Sequence, residues 1–344
     1  MKGRRRTRGT FSAVLAIALA LGTSTARPSV AREAESLSAL WEQPQDLRGR
    51  DLFYGPWGAA HAPDPRASYT FIRPKEDGTN PGVVVQDPLG QTWHVKQPSQ
   101  RWAEGPPEVV LSRVLSAVGY HQPPVYLLPS FTMTDASGAH IEPGGRFRLE
   151  HESLTEQGNW SWRMNPFVGT PPYQGLLVIL LMFASTDLKN SNNTLYEVAR
   201  DGGAEQWYVV RDLGGALGEY GLFRPMRNDA ALFEVQPFIT GVAGGFVDFD
   251  HPIKQRMLIK GRITPNEVAW ASNLLAGLSD RQWHDAFRAG GYEPDVAARF
   301  IRKLRLNIAH GQQLSSTHAR SDSTRADERF SHARSFSHGR SVRL

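Results

Sequence analysis

The sequence predicts an α+β fold in two parts: a small antiparallel β section carrying one helix, then a mainly helical section. Three observations predict it. Residues 68–150 are crowded with β-type runs, interrupted by one helical pattern, Glu108 to Val118. An unbroken apolar run, Leu176 to Ala184, then opens into a polar knot in which Asp187, Lys189, Asn190, Asn192 and Asn193 fall within seven positions. Beyond Gly214 the chain carries capped helical patterns.

The ends are set apart by composition. Lys2, Arg4, Arg5, Arg6 and Arg8 precede an apolar stretch from Phe11 to Gly22, followed by small residues up to Ala31. This predicts a secretory signal over residues 1–31, and so an exported chain, periplasmic, wall-associated or secreted. The apolar stretch is shorter than the roughly 20 residues of a membrane span. An uncleaved anchor is the alternative reading. The formal charge of +5 is concentrated at the termini. Residues 1–31 hold six cations and no acid, and residues 315–344 hold six Arg against Asp322, Asp327 and Glu328, which leaves the middle of the chain at about −4. No nucleic-acid partner is expected from such a balance. With no cysteine, disulfides, thiolate metal sites and Cys nucleophiles are excluded. Residues 313–344 read as a disordered basic tail.

Residues 32–66 read as a lead-in packed on the domain surface. Residues 67–152 form the β section. Its strands are expected at Tyr69–Ile72, Gly82–Gln86, Gln91–Gln97, Pro123–Leu128 and Arg146–Glu150. Between the first two lies Lys75-Glu-Asp-Gly-Thr-Asn-Pro-Gly82, where Gly78 and Gly82 give a loop able to present backbone N–H groups to phosphate oxygens; an ordinary hairpin loop is the simpler reading. Gly105-Pro-Pro107 opens the one helix, with Leu111, Leu115 and Val118 as its buried stripe. Glu108 falls on the same inward face and needs a cation, and Lys96, ending the adjoining strand, is the natural partner. Glu104 competes for it but precedes the helix.

Residues 153–312 form the helical section. A Trp- and Asn-rich connector leads to the long apolar helix from Pro172. Asp212 ends the β-type run Trp207-Tyr-Val-Val-Arg-Asp-Leu-Gly214. Val242-Ala-Gly-Gly-Phe-Val-Asp-Phe-Asp-His251 reads as a surface loop whose Asp248, Asp250 and His251 are candidates for substrate or metal contact. Helices are expected from Thr264 to Leu278, from Ser279 to Ala289, and from about Pro294 to His310, closed by Gly311.

In this order the parts resemble the protein-kinase-like superfamily. Asp187-Leu-Lys-Asn-Ser-Asn192 is similar to the Asp-Leu-Lys-x-x-Asn catalytic loop of protein kinases, and closer still to the Asp-Arg-His-Asn-Ser-Asn loop of phosphoinositide 3/4-kinases. Asp212-Leu-Gly214 resembles the Asp-Phe-Gly metal motif. The nearest analogues are atypical: HipA-like bacterial kinases, phosphoinositide kinases and secreted Fam20-type kinases. The resemblance covers about residues 68–310 and implies a two-lobed kinase-like fold. It implies that Lys96, positioned by Glu108, holds the nucleotide phosphates and that Asp187 accepts the proton of the attacking hydroxyl. Lys189 would balance charge on the transferred group. Asn192 and Asp212 would bind Mg²⁺ or Mn²⁺, with Asn190 and Asn193 as spare ligands. There is no Gly-x-Gly-x-x-Gly, no His-Arg before Asp187 and no Ala-Pro-Glu.

The expected function is therefore an exported phosphotransferase, moving a phosphoryl group from ATP or another nucleotide to a protein, lipid or sugar hydroxyl. The alternatives are an inactive nucleotide- or ligand-binding relative of the cell envelope, and an adhesion module built on the Trp-rich connector and basic tail. A metal hydrolase has no His-Glu-x-x-His to support it.

Overall fold

The computed structural model describes residues 37–76, 80–99, 103–185, 187–200, 202–219, 227–250 and 256–314. The expected signal segment, Gly78, His251 and residues 315–344 of the expected tail lie outside the described residues, while residues 313 and 314 are helical instead of tail.

The first five strands are β1 (Ser68–Pro74), β2 (Gly82–Gln86), β3 (Thr92–Lys96), β4 (Val125–Asp135) and β5 (Gly138–Leu149). They run in the order β1-β2-β3-β5-β4 and close into a barrel. The closure departs from the all-antiparallel sheet expected, because β1 pairs with β4 in parallel, Tyr69 opposite Met133. Closing the sheet buries one face of every strand. Tyr69, Val85, Trp93, Val95, Phe131 and Phe147 fill the interior as the alternation of each strand predicts. β4 and β5 are longer than expected. The residues between Leu128 and Arg146 form a continuous hairpin, turned at Asp135, whose Oδ1 accepts from Ser137 N at 2.8 Å, and at Gly138 with φ 105°.

Helix α1 (Gly105–Ala117) lies between β3 and β4 in the chain. It shows no single buried stripe, since all but one of its thirteen residues are buried. One side meets the barrel strands; the rest joins Leu40, Leu52 and the helices of the second section in one large core. Residues 37–57 are accordingly more than a surface lead-in. Trp41 Nε1 donates to Val118 O at 2.7 Å, Arg113 Nε donates to Phe53 O at 3.1 Å, and Gln282 Nε2 donates to Leu47 O at 2.7 Å.

The second section is more mixed than expected. β6 (Leu154–Gly158), β7 (Asn193–Arg200) and β8 (Gly203–Val210) form a three-stranded sheet. β9 (Ile239–Ala243) and β10 (Phe246–Phe249) make a hairpin where a loop was expected. Its turn is Gly244-Gly245, both at positive φ, which glycine adopts without steric cost. The helices are α2 (Pro171–Met182), α3 (Ala230–Val235), α4 (Arg256–Ile259), α5 (Pro265–Ala276), α6 (Asp280–Ala289) and α7 (294–314). Capping boxes at Thr264 and Ser279 start α5 and α6 as predicted. Gly311 does not end α7. A Cβ there would lie 2.1 Å from Ser272 Oγ, so this glycine permits close crossing of α7 over α5. The α2 run, Leu176 to Ala184, is wholly buried, which explains its unbroken apolar character. No helix among the described residues is long and apolar enough to cross a membrane.

Candidate active site

Lys96 ends β3, where its side chain leaves the barrel wall and is 95 % buried, with 5 % exposure remaining. Its ammonium meets three carboxylates: Glu108 at 2.8 Å, Glu104 at 3.7 Å, and Asp212 in direct contact. The expected Lys96–Glu108 pair is thus present. Glu104, read as the competitor, is a second neighbour, and it is held in turn by Arg227 and Asn80. Burial alone would lower the Lys96 pKa, but Glu108 and Asp212 hold it above its ordinary value against the opposing Arg146. Burial alone would raise Glu108, yet Arg146 and Lys96 keep its carboxyl below the usual range.

Arg146 was not foreseen. It pairs in register with Lys96 across β3 and β5. Its Nε lies 2.9 Å from Glu108 Oε1, an ionic contact off the line of a hydrogen bond, while Nη1 donates to His94 O at 3.2 Å. The signal was visible in the period-2 alternation Arg146-Phe-Arg-Leu149, which turns both arginines to the face opposite the barrel core. What the alternation cannot give is the register that sets Arg146 beside Lys96.

Gly82 lies in β2 opposite Lys96. A Cβ there would meet Val95 O at 2.2 Å, so close approach of the two strands requires this glycine. Its carbonyl accepts from Lys75 N at 2.9 Å, closing the β1–β2 connection. Lys75 Nζ donates to Asn80 O at 3.2 Å, and burial together with Lys96 and Arg146 lowers its pKa.

The polar knot follows the end of α2. Ala184, at φ 51°, stops the helix, and Ser185 N turns back to Leu180 O at 2.8 Å. The loop that emerges carries Asp187 and Lys189, whose charged groups lie 2.9 Å apart, with the Lys189 side chain 63 % exposed. Asn192 Nδ2 donates to Asp187 O at 2.8 Å, which fixes the loop and leaves Asn192 Oδ1 without a protein donor among the described residues. The two other amides serve the scaffold. Asn190 Oδ1 accepts from Trp162 N at 3.0 Å, and the fully buried Asn193 donates to Trp160 O at 3.1 Å. Both thereby anchor the Trp-rich connector.

β7 and β8 bring the knot to Asp212. Asn193 pairs with Val210, and Arg211 N donates to Asn192 O at 2.7 Å. Asp212 follows at φ 55°, a left-handed conformation that Asp tolerates better than most residues. Gly214 is required two positions on, because a Cβ there would lie 2.5 Å from Glu104 Cβ. Asp212 Oδ1 is on Lys96, while Oδ2 makes no protein hydrogen bond among the described residues. Burial would raise its pKa, but Lys96 and then Arg146 hold it below the ordinary carboxylate value.

The donor set suits a hard divalent cation. Asn192 Oδ1 and Asp212 Oδ2 are oxygen ligands without protein donors, and the Asp212 side chain is 44 % exposed, leaving room for waters or phosphate oxygens to complete a shell. Among the described residues there is no group of three or more His, Asp or Glu placed to hold a metal by themselves. Asp250 accepts from Gln236 Nε2 at 2.5 Å, and Asp248 lies on β10; neither pairs with Lys96 or Lys189 among the described residues.

A cavity of about 990 Å³ opens against the outer face of β2, β3 and β5, lined at one end by Lys75, Lys96 and Arg146. At the other end are Arg148, Glu150 and Tyr196.

No family model and no curated protein matches the chain. Its neighbours among solved structures are protein kinases. The Helicobacter pylori proinflammatory kinase CtkA aligns at 9 % identity over 75 % of this chain and 99 % of that one, with a TM-score of 0.40. The Rio2 kinase from Chaetomium thermophilum, solved as an ADP/Mg²⁺-phosphoaspartate complex, aligns at 11 % identity over 71 % of this chain and 72 % of that one, with a TM-score of 0.28. Likeness at that level says nothing about activity, which has to be read from the side chains.

Proposed function

We propose that the chain is a two-lobed, kinase-like phosphotransferase, with residues 67–152 and 153–312 as its lobes. It would move a phosphoryl group from ATP or another nucleotide to a hydroxyl acceptor. The observation that carries this reading is the single ammonium of Lys96 shared by Glu108 on α1 and Asp212 at the end of β8. Such a junction joins a phosphate-binding cation, Lys96, which lines one end of a cleft of nucleotide size, to a metal-binding carboxylate, Asp212, in direct contact with it.

In this reading Lys96 and Lys75 bind the donor phosphates, and Glu108 with Arg146 fixes Lys96 in place. Asp212 and Asn192 would hold Mg²⁺ or Mn²⁺, which supplies charge neutralisation at the phosphate oxygens when bound. Asp187 orients the acceptor hydroxyl and takes its proton as the oxygen–phosphorus bond forms and the bridging bond to the leaving nucleotide breaks. Lys189, exposed beside Asp187, offsets negative charge on the transferred group. We further propose that the chain acts after export, as the expected signal segment implies, on a protein, lipid or sugar hydroxyl.

The test is thermal melting with and without ATP plus Mg²⁺ or Mn²⁺, beside Asp212→Ala. A ligand that binds only the folded state raises the midpoint. A metal-dependent rise lost in the variant supports the site; no rise with any nucleotide and metal sinks it. The second reading, an inactive binding protein, is supported by the direct Lys96–Asp212 contact, which occupies the ammonium and one carboxylate oxygen. It predicts the same rise with no nucleotide hydrolysis or transfer.

A further inference from the structure

The far end of the cleft is not the apolar slot that any flat heterocycle would accept. β5 turns Arg146 and Arg148 to the cavity, Glu150 follows just past its end, and β3 sets Lys96 opposite Arg146 and His94 opposite Arg148. Arg146 is engaged by Glu108, and Arg211 by Glu156, with Nη2 at 3.2 Å from Oε2. Arg148 makes no ion pair or side-chain hydrogen bond among the described residues. It is a half-buried guanidinium facing a cavity, its pKa pushed down to about 10 by burial and by the like charges of Arg211 and Arg146. A cation held in that state is waiting for acceptors that the protein does not supply.

The neighbouring group has the opposite character. Glu150 lies two residues further on, just past the end of β5 where its N still donates to Thr92 O at 2.9 Å, and so roughly 7 Å away at β spacing, about the length of a purine ring system. His94 Nε2 lies 3.3 Å from Glu150 Oε2, while the Glu150 side chain stays 64 % exposed at the cavity mouth. Val84 of β2 lines the same cavity, as do Leu154 and Tyr196 of β6 and β7, so a planar ring has apolar walls to lie between. The base end therefore offers a pair of donors next to an acceptor, between walls suited to a purine.

We propose that this end of the cleft is a guanine site, in which Arg148 donates to O6 and N7 and Glu150 accepts from N1–H and the 2-amino group. The proposal rests on the nucleotide reading above and names its donor as a guanine nucleotide. Guanine presents two acceptors and then two donors along that edge, matching a guanidinium followed by a carboxylate. Adenine presents an amino donor at position 6, where Arg148 brings donors of its own. Arg148 then reaches N7 alone, and Glu150 meets the N1 acceptor. A site built to hydrogen-bond one base discriminates strongly against a base that leaves its polar groups unpaired.

The test is equilibrium binding of GTP, ITP and ATP to the full chain with Mg²⁺ by titration calorimetry, repeated with Arg148→Gln and Glu150→Gln. GTP is expected to bind about tenfold or more tightly than ATP. ITP, which lacks the 2-amino group, is expected to fall between them. Arg148→Gln should weaken GTP, which loses donors to O6 and N7, several-fold more than ATP, which loses a donor to N7 alone, and Glu150→Gln should narrow the gap between GTP and ITP. ATP binding as tightly as GTP, or more tightly, overturns the guanine assignment and leaves the nucleotide reading standing. Failure of all three nucleotides to bind in the presence of metal overturns both. Should Arg148→Gln lose its melting transition, the ranking of the three nucleotides on the unmodified chain decides the matter.

Discussion

Removing Glu108 should cost far more stability than removing the lysine it positions. Glu108 is 4 % exposed and is the only carboxylate paired with Arg146 among the described residues. Glu108→Ala leaves Arg146 buried with a carbonyl for company, at 3.2 Å, and removes one of the Lys96 partners as well. Breaking a buried pair from one side costs about 3–5 kcal/mol. Lys96→Met leaves less behind. Glu108 keeps Arg146, Glu104 keeps Arg227 and Asn80, and Asp212 reaches water through a side chain 44 % exposed. We expect about 1.5–3 kcal/mol for that change, the loss of one charged hydrogen bond. Urea titration at neutral pH measures both, with the slope checked for constancy. A Lys96→Met loss equal to or larger than that of Glu108→Ala would refute the account of who satisfies whom in this cluster.

Acid should expose the same carboxylate. The folded Glu108 pKa is depressed, so its contribution is present above its unfolded value of about 4.3 and is lost as pH falls through the lower folded value. Glu108→Ala should therefore show a shallower loss of stability than the parent below about pH 4; identical acid limbs in urea titrations would contradict the depressed carboxyl. Gly311→Ala should lose about 1–3 kcal/mol by overpacking α7 on α5, where the new Cβ meets Ser272 Oγ at 2.1 Å. Adding Ser272→Ala should recover part of that loss in thermal melts. Asn193→Ala should lose about 1–3 kcal/mol by leaving Trp160 O without its donor, yet keep any metal-dependent nucleotide shift, because its side chain serves the connector.

The parts of the site that could be read from the chain were those set by local pattern. Glu108 on the inward side of a Pro-started helix needed a cation, and Lys96 was the strand residue within reach. Asp187, Asn192 and Asp212 sat where apolar supports ran out into polar loops. What escaped depended on register and closure. Glu104 looked too early in the chain to matter, but Gly214 allows the Asp212 loop to pack directly on it, bringing it to 3.7 Å from Lys96. Arg146 and Arg148 were legible as one face of a strand, while their neighbours on β3 were not. The parallel β1–β4 contact left no mark in either strand, since closing a barrel needs only the same alternation that an open sheet needs. The β9–β10 hairpin, by contrast, was announced by Gly244-Gly245 between two short apolar runs, and the reading of that stretch as a loop passed over a strong turn signal.

The threading of residues 37–57 sets an order for folding. Leu47 and Arg50 present carbonyls to Gln282, more than 230 residues away, at 2.7 and 3.0 Å, and Leu40 and Leu52 fill a core whose other walls include α6 and α7. Loop closure over such a separation comes late and makes for slow folding. The earliest segment of this region can therefore meet α1 early, through Trp41 and Phe53, but its seat is completed only when the last helices exist. A fragment ending before Ser279 would carry Leu40, Leu52 and the buried flank of α1 uncovered, an adhesive surface on an otherwise complete barrel. The barrel, with a core of its own, can form first, and the chain is thus expected to become fully protease-resistant only in a late step, when the last helices cover residues 37–57 and α1.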